Sequence, residues 1–158
     1  MYNHAPENYQ CPFCLLMQGV ENDHVYSAQS DIIYQDQLVT AFVGSYQWPR
    51  NHGNTITVPN EHFENIFGLP DHYASKIHLI ARMISLAMKA VYSCDGISIR
   101  QHNEPAGYQD VWHYHLHITP RYVDDQFYPR YSEKEFMPVS ERARHAEKLR
   151  EGLSKLIS

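Results

Sequence analysis

Apolar positions along this chain switch between a period of two and a period near 3.6, and the switches predict short strands and two long helices. Ile32 to Tyr34 and Leu38 to Phe42 read as strands joined by the turn residues Gln35, Asp36 and Gln37. Asn54 to Val58, bounded by Gly53 and Pro59, reads as a third. Over Asp71 to Tyr92 the spacing is helical: Tyr73, Ile77, Ile80, Ile84, Ala87 and Val91 form one stripe, with Asp71 placed to cap the start. Asp95-Gly96 breaks the pattern, and Ile97 to Arg100 opens a strand that leads into the polar loop Gln101 to Asp110. From Ser140 a second amphipathic helix buries Ala143, Ala146, Leu149, Leu153 and Leu156. Near the start, Cys11-Pro12-Phe13-Cys14 opens a short apolar stretch with a glycine stop at Gly19. Residues 1–10 are polar and expected to be loosely held. Strands and helices without βαβ alternation predict an α+β fold on an antiparallel sheet. Residues 1–158 are expected to form one domain, with 122–158 as a C-terminal loop and helix.

The most informative run is Trp112-His113-Tyr114-His115-Leu116-His117-Ile118. In an extended strand the three imidazoles line one face, while Trp112, Tyr114, Leu116 and Ile118 line the other and pack into a core. At about 3.3 Å per residue the outer rings lie roughly 13 Å apart. A row of neutral bases suits phosphate chemistry. The alternative is a metal site, because neighbouring imidazoles at i and i+2 can share an ion. A neutral imidazole approaches an anion without charge repulsion, and the phosphorus–nitrogen bond it makes is readily broken again by water. His115, the central ring, is the candidate nucleophile, with a backbone carbonyl holding its Nδ1 proton. His117 stands where it can donate a hydrogen bond or a proton to phosphate or leaving-group oxygens.

Composition narrows the partners. The formal charge of −5 argues against broad nucleic-acid binding, which needs a basic face, yet leaves room for one small anionic substrate. The N-terminus lacks the charged and apolar regions of a signal peptide, and no apolar run reaches membrane-span length. A cytoplasmic location is therefore expected, and the three cysteines read as thiols or ligands rather than disulfides. Cys11 and Cys14 admit three readings: a redox pair, half of a zinc site, or two buried thiols. The redox reading needs a buried strand just before the pair, and Asn3 to Gln10 is polar.

Taken together these motifs resemble the histidine triad (HIT) family. The resemblance runs from about Cys11 to Arg121. It rests on His113-Tyr-His-Leu-His-Ile-Thr119 with Pro120-Arg121, Asn103-Glu-Pro-Ala-Gly107 with Gln109, and Ala41-Phe42 and Gly53 to Pro59 with His62 upstream. It implies a five-stranded antiparallel sheet with a long helix and a C-terminal helix, commonly paired as a homodimer. It implies a nucleotidyl hydrolase working through a nucleotidyl-histidine on nucleoside phosphoramidates or dinucleoside polyphosphates. A nucleotidyltransferase to a phosphorylated acceptor and a non-catalytic nucleotide- or zinc-binding module are the alternatives. By position, His113, His115 and His117 are the catalytic set. Asn103, Gly107, Gln109 and Arg121 are the substrate-binding set. No cofactor is implied for catalysis, but related bacterial proteins bind structural zinc, which would fall on Cys11, Cys14, His62 and His113. Three features depart from the family pattern. Tyr108 separates the usual Gly-Gln pair, Asp110 replaces Ser or Thr, and Gly44-Ser45 stands where Asp or Asn binds ribose.

Overall fold

The computed structural model describes residues 2–157. Its strands are β1 (Ile32–Gln35), β2 (Val39–Val43), β3 (Tyr46–Gln47), β4 (Thr55–Pro59), β5 (Gly96–Gln101), β6 (Leu116–Arg121) and β7 (Glu135–Phe136). Five of them form an antiparallel sheet in the order β1-β2-β4-β6-β5, and β3 pairs with β7 in a separate ribbon. The helices are α1 (Pro12–Met17), α2 (Asp71–Tyr92) and α3 (Val139–Ile157). This is the α+β architecture that the strand and helix periodicities predict.

Every residue of β2 is buried, because the sheet is covered on both faces. Val39, Ala41 and Val43 meet Ile77, Ile84 and Leu149 from α2 and α3. Phe42, alternating between them, meets Cys11, Phe13 and Leu16 on the opposite side, where α1 closes the second face. The β1–β2 turn is held by Asp36, whose carboxylate accepts from the backbone N–H of Leu38 and Val39 at 2.9 Å each. At the N-terminus, Tyr2 and Ala5 are tied to the body by hydrogen bonds to Asn65 and Glu64.

The helices differ in detail from their sequence patterns. α2 begins at Asp71, but Pro70 occupies the cap position and Asp71 makes no capping bond; its charge sits in the first turn instead. Val91 is half-buried. In α3, Leu156 is 45% exposed, and the close approach to α2 is made by Gly152. A Cβ there would lie 2.9 Å from Val91 Cγ1 and 3.1 Å from Ala87 Cβ, so glycine sets the helix–helix distance. Arg142, one turn into α3, is fully buried. Its Nε donates to Asp31 at 2.9 Å, and its other nitrogens donate to the carbonyls of Met137 and Tyr26.

Candidate active site

The histidine run is not a straight strand. The β4–β6 ladder pairs Thr55 with Ile118, Ile56 with His117 and Thr57 with Leu116, and β6 begins only at Leu116. Continuing the register would set Tyr114 against Pro59, which has no N–H for the ladder. The chain instead bends: His113 N donates to Val111 O at 2.9 Å and Tyr114 N to Phe63 O at 2.6 Å. The three imidazoles therefore serve two places rather than one row. Tyr114, Leu116 and Ile118 enter the core as their alternation predicts, whereas Trp112 stays half-buried against His4.

His113 turns toward the cysteines. Its Nε2 donates to Pro59 O at 2.9 Å, which leaves the Nδ1 lone pair facing Cys11 Sγ at 3.2 Å and Cys14 Sγ at 3.5 Å. His62 Nδ1 lies 3.4 Å from Cys14 Sγ, and the four donor atoms all fall within 4.8 Å of one another. The neighbouring Cys14 thiol, donating to Cys11, favours a Cys11 thiolate and pulls its pKa far down, while Cys14 is pushed up by making that donation. Two thiolate-forming sulfurs and two imidazoles at these separations are the donor set of a tetrahedral metal site.

His115 and His117 face a cavity of about 250 Å³, their rings 5.1 Å apart. His115 Nδ1 donates to His113 O at 2.8 Å, so its Nε2 carries the free lone pair. Although His115 is only 2% exposed, it lines this cavity, with Phe13 packed edge-on beneath it at 5.5 Å. Burial lowers its pKa. Burial first, and then repulsion from a proton on His115, from the Arg100 guanidinium, from a proton on His102 and from the Lys134 ammonium, lower that of His117 further. Both rings are neutral near pH 7. Asp110 Oδ1 stands 3.8 Å from His115 Nε2, and Asp110 Oδ2 stands 3.8 Å from Lys134 Nζ, so a carboxylate–ammonium pair hangs over the free nitrogen.

Of the other residues singled out from sequence, none of Asn103, Gly107, Gln109 and Arg121 lines the cavity. Gln109 is buried with its amide committed to backbone: it accepts from Glu104 N and donates to Glu64 O and Val111 O. Asn103 bonds Gln101 and Ile66 N. These contacts hold a strained loop. Glu104 has φ 61° and ψ 162°, a region other residues leave to glycine, and Tyr108 has φ 67° with its ring 81% exposed at the cavity rim. Gly44 lines the cavity, and a Cβ on it would come 3.0 Å from Asn54 Nδ2, so a larger side chain there would require the Asn54 amide to shift by a few tenths of an ångström.

Arg121 extends from the end of β6 onto Asp125, with Nε and Nη2 at 2.7 and 2.8 Å, and stacks on Phe127 and Tyr128. Asp125 also accepts from Asn51 and from the backbone N–H of Tyr122 and Phe127. Arg121 first, then these donors, hold its carboxyl well below the usual range. A depressed folded pKa stabilises fully above the ordinary carboxylate value near 3.9, and the contribution is lost as pH falls below it. Asp125→Asn is therefore expected to flatten the decline in urea stability below about pH 4. An unchanged acid limb would contradict this assignment.

Three cavity side chains carried no distinct sequence signal. His102 reads in isolation as an ordinary surface histidine, although it stands beside Asn103 in the segment leading to the triad. Lys134 lies in the loop that β7 pins across β3, and Trp48 follows β3. A family model for the HIT domain matches residues 26–124. The chain belongs to the HIT family. An uncharacterized HIT-like protein of Saccharolobus solfataricus is 31% identical over 134 residues, covering 85% of this chain and 87% of that one. The HIT fold is shared with a zinc-bound histidine triad family protein from Mycobacterium smegmatis, with a TM-score of 0.76, 23% identity, and coverage of 94% of this chain and 96% of that one. It is shared also with Plasmodium falciparum diadenosine triphosphate hydrolase, with a TM-score of 0.71, 14% identity and coverage of 100% and 92%. Among the described residues, no helix of this HIT protein is long and apolar enough to cross a membrane.

Proposed function

We propose that this protein is a nucleotide phosphohydrolase that acts through a nucleotidyl-His115 intermediate on nucleoside phosphoramidates or dinucleoside polyphosphates. One observation carries the reading: His115 Nε2 is a free, neutral lone pair lining a cavity, with Nδ1 anchored on His113 O. Nε2 attacks the α-phosphorus, the bond to the leaving group breaks with its electron pair going to the departing atom, and that atom takes a proton from water. Water then forms a bond to phosphorus and the phosphorus–nitrogen bond returns its pair to His115. The Plasmodium relative's activity as a diadenosine triphosphate hydrolase is consistent with this chemistry. Neutral polar groups on Ser27, Ser45 and Asn54, also lining the cavity, suit a nucleoside without adding charge. Rapid quenching during turnover of an adenosine phosphoramidate or a diadenosine polyphosphate should give a peptide carrying adenylate on His115. Turnover without any adduct would overturn the reading, and transfer to an added phosphorylated acceptor faster than to water would replace hydrolase with transferase.

The same proposal takes Cys11, Cys14, His62 and His113 as a structural zinc site. Pro59 O holds His113 in the tautomer that presents Nδ1 to the sulfurs, which is the arrangement a metal-binding imidazole needs. Bound zinc would supply a crosslink between α1 and the residue whose carbonyl orients His115. One zinc per chain is expected by elemental analysis, and its removal should lower the thermal midpoint by about 10 °C, as ~3–4 kcal/mol does at this size. A metal-free preparation whose midpoint resists both chelator and Cys11→Ser would refute it.

A homodimer is part of the proposal as well. β5 is an open sheet edge with Ile99 45% exposed, and α2 presents Leu79 and Leu86 outward. Sedimentation should give twice the 18.5 kDa chain mass, and a monomer at micromolar concentration would exclude it.

A further inference from the structure

His102 is a fourth histidine in the cavity, and its ring state can be read from its partners. Its Nδ1 donates to Gly107 O at 2.8 Å, so its Nε2 is an acceptor when the ring is neutral. That Nε2 is buried and has no partner. The neighbouring ring, His117, has the complementary defect: its Nδ1 is buried and unpartnered too. The two rings stand edge to face with centroids 6.4 Å apart. Two orphaned nitrogens in adjacent rings, one of them an acceptor, are costly unless each finds a partner; Arg100 Nε and Nη2, directly across on β5, are buried and unpartnered as well.

The charged and titratable groups acting on His117 are His115 on the same chain segment, Arg100 directly across on β5, His102 just beyond β5, and Lys134 from the loop before β7. Arg100 and Lys134 can only donate. His115 has its Nδ1 proton on His113 O, and its Nε2 is the attacking nitrogen. The imidazole of His102 is the remaining ionisable acceptor.

We propose that His102 is a positioning residue for His117: it accepts the His117 Nδ1 proton, directly or through one water, and so leaves the His117 Nε2 lone pair for the reacting water. This rests on the nucleotidyl-His115 reading and adds the proton path of its second half. As water oxygen bonds to phosphorus, its proton passes to His117 Nε2. The phosphorus–nitrogen bond breaks with its electron pair returning to His115, and the nucleoside monophosphate leaves. The charge gained by His117 is then shared along the Nδ1–H···Nε2 link to His102, whose own Nδ1–H is anchored on Gly107. The arrangement lets an imidazole placed among Arg100, Lys134 and His115 take up a proton that these neighbours disfavour.

Single-turnover experiments separate formation of the adenylyl-His115 adduct from its decay. In His102→Leu, decay should slow on the order of 10-fold to 100-fold, and more than formation does. His102→Gln, whose Oε1 can accept, should recover most of the loss. Nitrogen-15 spectra should show His117 protonated at Nδ1 in the native protein and as a tautomer mixture in His102→Leu. No adduct in the native protein would mean that the underlying reading fails. An adduct whose decay is the same in His102→Leu, or a native His117 protonated at Nε2, would overturn the positioning role alone. Should His102→Leu not fold, the native tautomer and the His102→Gln decay rate still decide.

Discussion

His115→Asn is expected to lower turnover by ~10⁴-fold or more, with the thermal midpoint within about 2 °C of the native value. The nucleophile cannot be replaced by a neighbour. His113 has Nε2 on Pro59 O and Nδ1 facing the sulfurs, while the His117 ring centre stands 5.1 Å from that of His115, away from the position His115 Nε2 holds. Asparagine fills most of the ring's volume and can keep a hydrogen bond to His113 O, so the packing on Phe13 should survive. Binding of product monophosphate, followed by calorimetry, should persist because the cavity walls are untouched. A variant that keeps more than about 1% of native turnover would remove His115 from the covalent role. A purely binding module would show no turnover to lose.

The largest stability effect is expected at Arg142. Replacement by leucine should cost about 3–5 kcal/mol in urea unfolding, because Asp31 is left as an uncompensated charge with no exposure to water. The carbonyls of Met137 and Tyr26 lose their donors at the same time. The guanidinium thus ties α3 to the segment before β1 and to the Tyr26 wall of the cavity. The double change Arg142→Leu with Asp31→Leu should recover part of the loss, since two apolar side chains leave no buried charge. A single variant within about 1 kcal/mol of native would show that the pair is not buried in solution.

The cluster of Cys11, Cys14, His62 and His113 illustrates what sequence can and cannot specify. Cys11 and Cys14 are three apart, a local spacing that brings two sulfurs together across one turn of α1. His62 and His113 reach them only because the β4-to-α2 connection and the bend before β6 meet beneath that turn. From the residues alone, a pair of buried thiols was an equal alternative; the resemblance named the four ligands, and the fold assembles them. Asn103 and Gln109 show the converse. A side-chain amide in a loop before a histidine run looks suited to phosphate, but whether it faces a cavity or its own backbone depends on the loop's φ angles. Here Glu104 and Tyr108 turn the backbone so that Gln109 points inward and His102 lines the cavity.

Periodicity by itself determined the α+β class, the span of α2 and the side of β6 that meets the core, because burial of apolar area depends mainly on local spacing. It also singled out His115, since alternation with Tyr114 and Leu116 sends the polar ring away from the core. Tertiary structure alone decided that the three histidines part company, that Arg142 rather than Leu156 is buried in α3, and that His102 and Lys134 share the cavity. Those outcomes depend on which backbone groups remain unpaired where distant segments cross, and hydrogen-bond completion is a property of the packed chain rather than of any window within it.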